Sequence, residues 1–89
     1  MNSLSETVSA ALSRTDPEGL IAMGAPPESE YDFEGRIIAE QLSAHVKLTE
    51  SMIIDVFEYA FKKNISNTEP YKKAYIEIRK SLENYEENI

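Results

Sequence analysis

Apolar residues recur along this chain at helical spacing, and no stretch carries a strand signal of comparable strength. Leu4, Val8, Ala11 and Leu12 share one face of a first helix, expected over Leu4 to Ser13. Ser3 and Glu6 open it with the S-x-x-E spacing of a capping box, in which each side chain serves the other residue's free amide. Phe33, Ile37, Ile38 and Leu42 predict a buried stripe on a helix from Asp32 to about His45, with Asp32 as its cap. The strongest pattern comes next. Met52, Ile53, Val56, Phe57, Ala60 and Phe61 repeat as adjacent pairs every turn, so a helix is expected from a Thr49 cap to about Lys63, stopped by Asn64. Tyr71, Ala74, Tyr75, Ile78, Leu82 and Tyr85 give the apolar face of a last helix, opened by Asn67-Thr68-Glu69-Pro70.

Between the first two of these helices lies a stretch of different character, Asp16 to Glu34. It holds six of the sixteen acidic residues, three of the four prolines and no basic residue. The chain's three glycines fall between positions 19 and 35. Asp16 as a cap and Pro17 at a first helical position predict a short helical turn. Leu20, Ile21 and Met23 supply its apolar contacts, and Gly24 ends it in the left-handed conformation. Ala25-Pro26-Pro27 is then extended, because a residue before proline avoids the helical region. The expected fold is all-α, a compact irregular array of four helices plus this short helical turn, in a single domain over residues 1–89.

The core of so short a chain is small and leaves little room for a deep substrate cavity. Cysteine is absent, which excludes disulfides and thiolate metal sites and fits the cytoplasm. The N-terminal residues lack the basic and apolar regions of a signal peptide, and no segment has the apolar length of a membrane span. The net charge of −7 is unevenly placed. Residues 1–45 hold eight acidic and two basic side chains, a net of −6; residues 46–89 hold eight and seven, a net of −1. Such a field disfavours direct nucleic-acid binding and favours basic protein partners.

Catalytic chemistry finds little to stand on. His45 is the only histidine, its neighbours are apolar, and a place at a helix C-terminus accounts for it. Glu28, Glu30, Asp32 and Glu34 alternate, but their spacing does not fit an EF-hand loop. Loop solvation, capping and helix-dipole compensation account for them, so neither metal nor cofactor is expected. Gly19 and Gly24 make no phosphate-binding loop. Tyr71, Tyr75 and Tyr85 stand among Lys72, Lys73, Arg79 and Lys80, a mixture that read as nucleic-acid stacking or, by helical spacing, as core beside a solvated basic face; the second reading is preferred.

Asp16-Pro17-Glu18-Gly19-Leu20, Gly24-Ala25-Pro26 and Glu30-Tyr31-Asp32 with Glu34 together resemble the YugE-like domain of unknown function, a family of small all-helical bacterial proteins. Glu18 stands where the family pattern has an apolar residue, and Pro27 adds a second proline. The resemblance implies a helical fold and transfers no catalytic residue.

The function expected is therefore binding and not catalysis. An immunity protein or antitoxin that neutralises a basic, nuclease-type toxin fits a small acidic chain without catalytic groups. The expected contact region is Glu28, Glu30, Asp32 and Glu34, with Tyr31 as an aromatic anchor; the competing reading makes the motif purely architectural, with the Tyr31 ring packed on the core and its hydroxyl hydrogen-bonded. The alternative is a housekeeping structural or regulatory domain that self-associates or serves a larger complex.

Overall fold

The first helix, α1 (Leu4–Thr15), begins as its sequence predicts. In a computed structural model that describes residues 3–87, the Glu6 amide donates to Ser3 Oγ and the Ser3 amide to Glu6 Oε1, both at 3.1 Å. The helix ends at Asp16, whose own backbone is left-handed (φ 48°) and whose N–H returns to the Leu12 carbonyl. Pro17 and Gly19 then occupy the second and fourth positions of a tight turn closed by Gly19 N–H onto Asp16 O, positions that both residues favour. The helical turn expected from Pro17 begins only at Leu20, because Gly19 (φ 70°) breaks the path between them. It is a single turn. Ala25 N–H bonds to Leu20 O and Gly24 N–H to Ile21 O, with Gly24 at φ 110°, the left-handed stop expected of it.

Helix α2 (Asp32–Ser43) carries two corrections. Asp32 is its first residue and not its cap; its carboxylate turns sideways to accept from Ser9 Oγ on α1 at 2.8 Å. No side chain caps the helix, and the Asp32 amide bonds instead to Ser29 O of the preceding turn. The stripe is also rotated from the expected one: Phe33 is 47% exposed, while Glu34, Gly35, Ile38 and Ala39 face inward. Gly35 is the reason. A Cβ there would sit 2.9 Å from Ser9 Cβ and 3.0 Å from Ser9 Cα, so α1 and α2 cross at a distance only glycine permits. That close crossing turns Phe33 outward.

Helix α3 (Glu50–Phe61) is capped by Thr49 Oγ1, which accepts from the Met52 amide at 3.1 Å. It stops at Lys62 (φ 53°), ahead of the stop expected at Asn64. Helix α4 (Glu69–Glu87) begins with Asn67 Oδ1 accepting from the Glu69 amide. There is no strand among the described residues.

Helix α1 packs against α2 on one side and α4 on the other, and α3 closes the array against the same two helices. The core between them comprises Val8, Ala11 and Leu12 of α1, Tyr31 and Ile38, Met52, Ile53, Val56 and Phe57 of α3, and Tyr71, Ala74 and Ile78 of α4. The radius of gyration is 12.2 Å, close to the value of about 12 Å for a compact chain of this length.

Candidate functional site

The acidic stretch is fastened to this core by two tyrosines. Tyr31 is fully buried, its ring 5.9 Å from that of Phe57, and its hydroxyl donates to Asp16 Oδ1 at 2.6 Å while accepting from the Glu18 amide at 3.2 Å. Tyr71 sits against Phe57 at 5.4 Å, and its hydroxyl donates to the Glu18 carboxylate. Burial first, and then hydrogen bonding to a carboxylate, pushes both hydroxyls well above the ordinary tyrosine range. Burial also works to raise Asp16, but donors from Tyr31 and from the amides of Ala22, Ile21 and Leu20 outweigh it and hold the carboxyl below its usual range. Lys63 completes the shell of Glu18, whose side chain is only 7% exposed.

Two of the five residues expected to meet a partner are therefore not on the surface. Tyr31 cannot serve as an exposed aromatic anchor, because its ring is core and its hydroxyl is engaged. Glu34 is 5% exposed; burial raises its carboxyl above the usual range, and the nearby negative charges of Glu30, Glu18 and Asp32 add to the rise against a bond from its own amide. Its Oε1 is buried without a hydrogen-bond partner among the described residues. Glu28 and Asp32 are exposed, and Glu30 is partly so.

Glu28 and Asp32 do come together, in a groove of about 440 Å³ between α1 and the end of the loop. Its lining is Glu6, Ser9, Ala10, Ser13, Pro27, Glu28 and Asp32: three carboxylates and no basic residue. Two bonds set its shape. Ser9 holds Asp32, and Ser13 Oγ donates to the Pro27 carbonyl at 2.6 Å, fixing the loop against the helix. Glu6 is the member that the sequence did not offer. Its capping role explained it fully, and only the packing of the loop over α1 brings it beside Glu28. The available signal was that Glu6, Ala10 and Ser13 share one helical face.

The groove offers acceptors for ammonium or guanidinium groups. No group of three histidine, aspartate or glutamate side chains among the described residues is arranged to hold a metal ion. His45 lies outside the groove, in the left-handed position (φ 65°) that ends α2. No described helix is long and apolar enough to cross a membrane.

Compared with protein-family models, curated proteins and solved structures, the chain matches none.

Proposed function

We propose that this chain is a protein-binding inhibitor of the immunity-protein or antitoxin kind, which neutralises a basic, nuclease-type toxin in the cytoplasm by stoichiometric binding. The observation that carries the reading is the groove in which Glu6, Glu28 and Asp32 stand together without a cation. A toxin that binds nucleic acid presents lysine and arginine, and carboxylates on a firm support meet those groups and occlude them. The support is firm because the loop is held at Asp16, Glu18 and Pro27, so little ordering is needed on binding. Glu30, partly exposed two residues from both Glu28 and Asp32, adds to the negative charge of the loop. The resemblance of Asp16 to Glu34 to the YugE-like family is compatible with this role and supplies no activity of its own.

The test begins with capture of a partner by the tagged chain, followed by titration of that partner's nuclease activity. Full inhibition at one equivalent, weakened by Glu28→Lys and by added salt, is the expected result. A basic partner whose binding ignores Glu28→Lys, or the failure of any basic protein to bind, would overturn the reading. The alternative, a domain that self-associates, is favoured by a separate surface on α4.

A further inference from the structure

Four cations of α4 stand together on its outer side. Lys72, Lys73, Arg79 and Lys80 are all exposed, and Ile76, 43% exposed, lies between the two pairs. About one helical turn, roughly 5.4 Å, separates Ile76 from each pair. The ion pairs among the described residues, Arg14–Glu77 and Lys63–Glu18, leave all four cations out. Arg79 lies over the Tyr75 ring at 5.7 Å, which holds its guanidinium close to the helix. Glu69 and Glu83 bound the strip at its two ends. In a chain of net charge −7 this is a local basic ridge with an apolar centre.

Its pattern is the inverse of the groove, where Ala10 and Pro27 are rimmed by Glu6, Glu28 and Asp32. The two surfaces belong to different flanks of α1. The groove uses the flank that meets α2, where Ser9 holds Asp32; α4 packs on the other, where Arg14 reaches Glu77. One copy therefore cannot satisfy its own ridge with its own groove. We propose that the α4 ridge of one copy docks in the acidic groove of a second copy, with Ile76 against Ala10 and Pro27 and the flanking cations against Glu6, Glu28 and Asp32. The contact is heterologous, so each pair keeps a free groove at one end and a free ridge at the other. One helix strip on one groove is a small interface, and the association is weak, fast and salt-dependent. A phosphate polymer is a poorer occupant, because the strip is short, ends in glutamates and belongs to an acidic chain.

The proposal uses the groove of the preceding reading but not the toxin. It is tested on the chain alone, so failure to find a basic partner leaves it standing, and a strict monomer leaves the inhibitor reading standing. Sedimentation equilibrium at moderate ionic strength should show reversible association that high salt abolishes. Reversing the ridge (Lys73→Glu with Lys80→Glu) or the groove (Glu6→Lys with Glu28→Lys) should each weaken self-association about tenfold or more. These positions are exposed, and circular dichroism checks that each variant remains helical. Mixed in equal amounts, the two variants should associate again, because one supplies an intact groove and the other an intact ridge. A wild-type chain that stays monomeric at millimolar concentration overturns the proposal. So does association that survives either reversal, or a mixture that fails to associate. Perturbation of the ridge by short RNA or anionic vesicles while the chain stays monomeric would assign it a phosphate-bearing occupant and equally overturn it.

Discussion

Asp16 and Glu18 at the start of the acidic stretch, and Glu28 and Asp32 at its end, look alike in sequence and have opposite fates. The first pair receives the hydroxyls of Tyr31 and Tyr71 and ties the loop to the core. The second pair is exposed and shapes a groove. What separates them is the supply of core tyrosine hydroxyls, since Asp32 receives only Ser9 Oγ at the groove. Tyr71 reaches Glu18 from 53 residues away, through a core organised by Phe57, and no such donor approaches Glu28. An acidic loop thus has a half that holds and a half left exposed at a groove, and the division is made by distant aromatic residues.

The severest way to break this division is to remove its centre. Phe57 touches the rings of Tyr31, Tyr71 and Phe61. Phe57→Ala should cost about 3–5 kcal/mol, much of the stability of a domain this small. Both tyrosines lose their seat, and cooperative thermal unfolding should disappear; a melt within a few degrees of wild type would show that the core is held elsewhere.

Next comes the crossing that shapes the groove half. Gly35→Ala places a methyl against backbone and Cβ atoms of Ser9 at 2.9–3.0 Å, where no flexible chain end can give way. Overpacking should exceed the helix-propensity gain of alanine and leave a net loss of about 2 kcal/mol. Denaturant titration reads the loss, and a variant more stable than wild type would mean that α1 and α2 separate freely.

The comparison itself is sharpened by two substitutions that each remove one polar contribution. Tyr31→Phe keeps the ring and removes one of the donors to Asp16, and should cost about 1.5 kcal/mol. Glu28→Gln should stay within about 0.5 kcal/mol, because its carboxylate is exposed. Equal costs in chemical denaturation would erase the distinction between the two halves.

Much of the fold was legible because its signals are local. The Ser3–Glu6 capping box, the Thr49 cap, the α3 stripe and the positive φ of Gly24 all depend on neighbours within a few residues. Gly24→Ala should accordingly cost about 1 kcal/mol from backbone conformation alone, since nothing lies within 4 Å of the added methyl; an unchanged melting temperature would contradict that. The site was legible only in part. Charge singles out Glu28 and Asp32, which line the groove. Glu6 was hidden behind its capping role, and Glu34 reads as exposed because burial on α2 is set by the Gly35–Ser9 crossing, a long-range fact; of the two readings of Tyr31, the structure has the one with its ring in the core and its hydroxyl bonded. Phe33 was drawn into the core by the same omission.

Glu34 belongs to neither half and gives the smallest expected effect. It is more deeply buried than Asp16, its Oε1 has no partner among the described residues, and the charges around it, Glu18, Glu30 and Asp32, are all negative. Its folded-state carboxyl titrates above its unfolded value, so folding favours the protonated form. The stability it contributes is therefore fully present below the ordinary glutamate range, about pH 4, and is lost as pH rises through the folded-state value. Glutamine carries no charge at any pH and removes that slope. Relative to wild type, Glu34→Gln should gain stability steadily as pH rises toward neutrality and show its smallest advantage in acid. Denaturation curves of the two proteins across pH test the sign. An advantage that grows as pH falls would mean that Glu34 is a stabilised carboxylate with a donor, and would move it into the class of Asp16.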